Sequence, residues 1–259
     1  MTPFFRKIRY RLAKDNQFFK YSRYAIGEII LVVIGILIAI QVNNWNEEKK
    51  NHEKENLLLM RMKSDLELDI IYLQNRMLQS KKIVQDHFKA LEELYLIQDS
   101  ISHIRELLNL IDFGSEMLTV QNSTYEEINN TGKIELINNM DLKNELNNYY
   151  NDCSKAEKHF EEINFYSAQV MKDLFKEVPQ IIRINSFSDE TNQFYDQFIK
   201  VNDGNWNFIN DTNSVEFFKL EATVLAYRNK NLIFIDHFDT LITRSRALIE
   251  LINKELKSD

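Results

Sequence analysis

The chain has 259 residues, 44% of them hydrophobic, enough for one sizeable packed domain plus an appendage. Only five glycines and two prolines punctuate it, which excludes the turn-rich all-β and doubly wound folds and predicts long helices. A net charge of −7 sets nucleic acid aside as a partner, and a single cysteine, Cys153, excludes an intramolecular disulfide framework.

The charge is unevenly spread. Residues 1–23 carry seven Lys and Arg residues against Asp15 alone, a net of +6. Glu28 is the only charge between there and residue 46, so residues 47–259 hold −12. Phe4, Phe5, Ile8 and Leu12 recur at helical spacing among the early cations, the pattern of an amphipathic segment lying on an anionic lipid surface or of a basic tail that only sets orientation.

"YAIGEIILVVIGILIAIQVNNWNEEKK" follows. Residues 25–42 contain Glu28 and Gln41 as their only strongly polar members, and 18 residues of helix span about 27 Å, close to the hydrocarbon thickness of a bilayer. Tyr21, Tyr24 and Trp45 stand at the ends, where amphipathic rings prefer the headgroup layer. No small-residue cleavage site follows, so the run reads as an uncleaved transmembrane helix over 24–45, with the lipid bilayer as partner. The Lys/Arg bias places 1–23 in the cytoplasm and 46–259 on the far side. Glu28, one turn into the span, reads as an interfacial carboxylate, with an interhelical contact as the other reading. Gly27, Gly35 and Ala39 form a ridge of small residues against which a second copy or a partner membrane helix could pack, or which reflects only the abundance of small residues in spans.

Beyond the span no glycine or proline occurs until Gly114. Leu59, Leu66 and Leu73 recur at seven, with Ile70, Met77, Val84 and Leu91 on an interleaved track. This a/d-like seam weakens at Ser80 and His87, which favours one helix of a bundle, continuous with the anchor, over a long coiled coil. A short amphipathic helix is expected over residues 100–112. Ser123 with Glu126 fits a capping box, and Gly132 sits where a helix C′ glycine belongs. A helix starting near Asn139 or Asp141 runs to Val178, where Pro179 closes it, and buries Leu142, Leu146, Tyr149, Cys153, Ala156, Phe160 and Ile163. "INSFSDETNQ" reads as a loop, "NQFYDQFIKV" as a short helix, and "NDGNWNFINDTNS" as a polar turn around Trp206. Asn213 with Glu216 offers a capping box that opens a last helix to about Leu256. The expected architecture is all-α, a transmembrane helix continuing into an antiparallel helical bundle.

Two stretches, "FFRKIRYRLAKDNQFFKYSRYAIGEIILVVIGILIAIQVNNWNEEKK" and "TYEEINNTGKIELINNMDLKNELNNYYN", resemble the signatures of a large family of uncharacterised single-pass membrane proteins of Gram-negative bacteria, a domain of unknown function. The resemblance implies a membrane anchor, a helical extracytoplasmic domain and hence a periplasmic location. It implies no activity.

No P-loop, G-x-S-x-G, C-x-x-C or H-E-x-x-H is present, and no catalytic residue, cofactor or metal is expected. His52/Glu55, His103/Glu106 and His159/Glu162 make H-x-x-E pairs, which in a chain with 39 acidic residues read as solvated-face matches. Residues 124–150 carry the candidate pocket: Tyr125, Tyr149 and Tyr150 with Gly132, Asn138 and Asn139, which either line a polar-aromatic site or lock a helix corner. The function expected is a non-enzymatic, membrane-anchored interaction or sensor-like module. An envelope metal-binding protein or enzyme using the His/Glu pairs, and a structural assembly stalk, are the other readings.

Overall fold

In the computed structural model, residues 17–96, 101–184 and 206–257 are described. The elements are α1 (Gln17–Leu96), α2 (Ile101–Asn109), α3 (Ser123–Asn130), a 3₁₀ turn (Lys133–Leu136), α4 (Met140–Glu177), α5 (Gln180–Ile184), a second 3₁₀ turn (Asn207–Asn210) and α6 (Val215–Glu255). Every regular element among the described residues is helical and there is no strand, as the scarcity of turn formers requires. The basic segment before residue 17 falls outside the described residues. So do the "INSFSDETNQ" loop and the "NQFYDQFIKV" helix, except for Ile184, which ends α5.

The chain divides into two compact units, Met1–Leu57 and Leu58–Asp259. In the first, every side chain from Ala25 to Asn51 is exposed, and the helix contains a window of mean hydropathy 2.6, long and apolar enough to cross a membrane. A Cβ added at Gly27 or Gly35 would meet nothing within 4 Å.

The second unit is built around two hydrophobic clusters. One joins Leu59, Leu66 and Leu73 of α1 to Leu142, Leu146 and Phe160 of α4 and to Phe234, Phe238 and Ile252 of α6. The other joins Ala90 and Leu94 of α1 to Leu107 and Leu108 of α2, Leu174 of α4 and Phe217, Leu220 and Val224 of α6. Residue numbers rise from the first cluster to the second along α1 and α4, and fall along α6. Thus α1 and α4 run in the same direction and α6 runs antiparallel to both. Three helices arranged in this way need a return connection between α1 and α4, to which residues 101–139 contribute.

Helix ends follow local chemistry. Asn139 caps α4 by accepting from the Leu142 amide at 3.1 Å, and Val178 with Pro179 ends it. Gly132 adopts φ +69°, the left-handed conformation that lets the chain leave α3 and enter the 3₁₀ turn. Two expected capping boxes are displaced by one residue. α3 begins after Asn122, whose side chain donates to Glu126 at 2.7 Å, and Ser123 is already helical. α6 is capped by Ser214, which accepts from the Phe217 amide at 3.1 Å, so Asn213 stands outside it.

The α1 seam also differs from its sequence reading. The buried residues after Leu58 are Leu59, Leu66, Leu73, Ser80, His87 and Leu94 at intervals of seven, with Met62, Asp69 and Ala90 on the companion track. Ile70 and Met77 are only partly buried. The heptad therefore does not weaken at Ser80 and His87; it changes from apolar to polar while remaining inside. Trp206 is likewise buried, with Phe208 and Ile209, where a polar turn was expected.

Candidate functional site

The polar residues within the seam serve a segment that periodicity could not reveal. Residues 111–122 run back between the two clusters in no regular element, a strap that buries Ile111 in one cluster and Leu118 in the other. Exposure alternates from Ser115 to Gln121, the period of an extended backbone. A strap lying on helices has no neighbouring strand with which to pair its amides and carbonyls, and buried backbone groups need partners. Side chains from the three long helices provide them.

From α1, His87 Nε2 accepts from the Asp112 amide at 2.9 Å, Asp69 Oδ1 accepts from the Gln121 amide at 2.8 Å, and the Tyr72 hydroxyl donates to the Met117 carbonyl at 3.2 Å. From α4, Asn164 Nδ2 donates to the Glu116 carbonyl at 2.6 Å and the Tyr150 hydroxyl donates to the Gln121 carbonyl at 3.5 Å. From α6, Lys230 Nζ donates to the Gly114 carbonyl. Arg76 pairs with the Glu116 carboxylate.

Holding these groups under the strap shifts their proton equilibria. Burial, with the charge of Asp65 adding to it, raises Asp69 to about 6 against the opposing Gln121 hydrogen bond. Burial lowers His87 to about 4, keeping its ring neutral and able to accept. Burial also lowers Lys230 to about 8, opposed by Asp112 and Glu116.

Between the anchor points the strap is bare. Leu118, Thr119 and Val120 make no backbone hydrogen bond among the described residues, and they form one wall of an open groove of about 500 Å³. Tyr125 and Glu126 of α3 and Asn147, Tyr150, Asn151, Ser154 and Glu157 of α4 complete it. Tyr125 stacks on Tyr150 with ring centroids 4.0 Å apart and planes inclined by 12°, and its hydroxyl donates to Asn147 at 2.8 Å. Both charged residues in the lining, Glu126 and Glu157, are acidic.

Of the residues expected to form a pocket, Tyr125 and Tyr150 line this groove together. Tyr149 points the other way, fully buried, and its hydroxyl accepts from Ser245 at 2.9 Å. Asn139 caps α4 and donates to Glu255 at 2.7 Å, while Gly132 and Asn138 lie outside the lining. Thr119, Asn147 and Glu157 were not singled out in the sequence, because only the fold brings the strap beside α4. Cys153 also borders the groove, but burial pushes its thiol up to about 12, which makes it a poor nucleophile.

The histidine–glutamate pairs divide. His52 Nδ1 lies 3.6 Å from Glu55. The His103 side chain is outside the description. His159 faces His237 of α6, with Nδ1 2.8 Å from Nε2. No group of three or more His, Cys, Asp or Glu residues able to hold a metal occurs among the described residues.

No curated protein and no solved structure matches the chain. A family model matches residues 28–162, a little over half the length, and that stretch includes every residue lining the groove. The chain belongs to the family of unknown function DUF6090.

Proposed function

We propose that the protein is a single-pass component of the Gram-negative inner membrane, its N-terminus cytoplasmic and its helical domain periplasmic. In this reading the domain is a non-enzymatic recognition module that takes an extended polypeptide segment in the groove between the strap and α3–α4. The bare backbone of Leu118, Thr119 and Val120 carries the proposal. Unpaired amides and carbonyls on an alternating, extended segment are the chemistry by which one chain adds alongside another, with side-chain pockets supplying selectivity. The stacked Tyr125 and Tyr150 offer a flat apolar platform beside them. Glu126 and Glu157, with no cation in the lining, favour a segment bearing lysine or arginine.

Topology is supported by the seven cations that precede the apolar helix and the acidic chain that follows it. A reporter fused after Asp259 that is active only in the cytoplasm would reverse the orientation.

Peptide-display selection against the full-length protein in nanodiscs tests the groove. Enriched peptides are expected to combine an aromatic or aliphatic residue with a basic one. Their binding should be lost in Thr119→Pro, which deletes one strap amide, and retained in Thr119→Ala. Binders indifferent to Thr119→Pro would sink the reading.

A further inference from the structure

Outside the groove, the contact between α4 and α6 holds a second arrangement of donor atoms. His159 Nδ1 and His237 Nε2 stand 2.8 Å apart, with ring centroids 5.0 Å apart and planes at 83°. The two residues are 78 positions apart in the chain, so only the packing of the long helices brings them together. We propose that His159 and His237 form a two-histidine site for a divalent first-row transition-metal ion, clipping α4 to α6.

The geometry is that of a preorganised pair. Imidazole nitrogen binds zinc at about 2.0–2.1 Å, which puts two ligands of one tetrahedral ion roughly 3.3 Å apart, about half an ångström wider than the 2.8 Å spacing present. A tilt of each ring turns both lone pairs toward a shared ion. The helices beneath are fixed. Phe160, next to His159 in the chain, stacks on Phe234 at 3.8 Å and 6°, packs edge-on to Phe238 at 5.4 Å, and lies against the His237 ring at 5.8 Å. That aromatic layer prevents the helices from spreading, so the donors are held close before any ion arrives.

Charge and solvent access agree. In the unprotonated dyad one ring nitrogen donates and the other accepts, and each ring keeps its other nitrogen for a proton once a cation takes the shared position. His159 is exposed and His237 half-buried, which leaves the remaining coordination positions open to water or to a donor from a partner.

Zinc titrated into the metal-free, full-length protein in detergent, followed by calorimetry, tests the site. One equivalent per chain is expected, weakened at least tenfold in both His159→Ala and His237→Ala and unchanged in His52→Ala. Because His159 is exposed, its replacement leaves the fold intact, and circular dichroism of that variant verifies this. Zinc bound equally well by His159→Ala, or no zinc bound by the wild-type chain, overturns the proposal. Neither result touches the groove, whose peptide binding is measured separately.

Discussion

The backbone amide of Gln121 donates to the carboxylate of Asp69 at 2.8 Å, which ties the end of the strap to a buried position of α1 on the track that also carries Met62 and Ala90. Asp69 is raised to about 6 in the folded chain from an ordinary 3.8, so between those values the folded state holds a proton that the unfolded state has lost. The contribution of Asp69 to stability is therefore greatest at low pH and falls as pH rises from about 4 to about 6. Asp69→Asn keeps an oxygen acceptor for Gln121 and removes the titration. We expect its thermal midpoint at pH 7 to rise by about 2–4 °C, the shift that ~1 kcal/mol produces at this size, with the difference vanishing below pH 4.

His87 holds the other end of the strap and has the opposite sign. Its pKa is lowered to about 4 from 6.5, so the unfolded state binds the extra proton and the contribution of His87 falls as pH drops from about 6.5 to about 4. In the wild-type chain the two slopes oppose each other. His87→Leu should unmask the Asp69 slope, and it should also destabilise by about 1–3 kcal/mol because the Asp112 amide loses its acceptor. Urea unfolding of both single variants across pH 4–7 measures the pair.

Tyr149 and Tyr150 are neighbours with different duties, and mutation should separate them. Tyr149→Phe strands the Ser245 hydroxyl in the core and costs about 1–3 kcal/mol, Ser245→Ala costs less because the tyrosine keeps its contact with Cys153, and the double variant costs less than their sum. Tyr125→Ala, at the rim of the groove, is expected to change stability less than either and to weaken selected peptides about tenfold, in line with ~1–1.5 kcal/mol for a lost aromatic contact. Denaturant midpoints and peptide titrations of the same preparations decide it.

Gly132 gives a test of backbone conformation alone. A Cβ there meets nothing within 4 Å, but the residue sits at φ +69°. Gly132→Ala should lower stability by about 1–2 kcal/mol, the left-handed penalty of an L-residue, and Gly132→Asn by less. Melting curves of the two variants measure the difference.

Punctuation and periodicity located the long helices well: Asn139, Gly132 and Pro179 stand at element boundaries, and the apolar run is helical throughout. Local signals reach only three or four residues, which explains the two caps misplaced by one residue, Ser123 for Asn122 and Asn213 for Ser214. They also explain the larger omission. The alternation of the strap covers too few residues to stand out beside the helices, and its partners lie 25 to 116 residues away, so nothing local marks it. Ser80 and His87 read as faults in an apolar seam because the sequence does not show which polar groups will be brought against them. Only Tyr125 and Tyr150 of the groove were legible as a site for the same reason: they lie within one turn-rich stretch, while Thr119 and Glu157 depend on tertiary placement.

Within the strap, neighbouring amides should keep different time. The Gln121 and Asp112 protons are clasped by side chains buried at the α1 seam, so deuterium replaces them only when the helices part. The Thr119 proton, two residues from Gln121, waits for nothing and exchanges as fast as solvent reaches it. A segment that is fixed at both ends and unclaimed in the middle loses little conformational freedom when a partner binds to it.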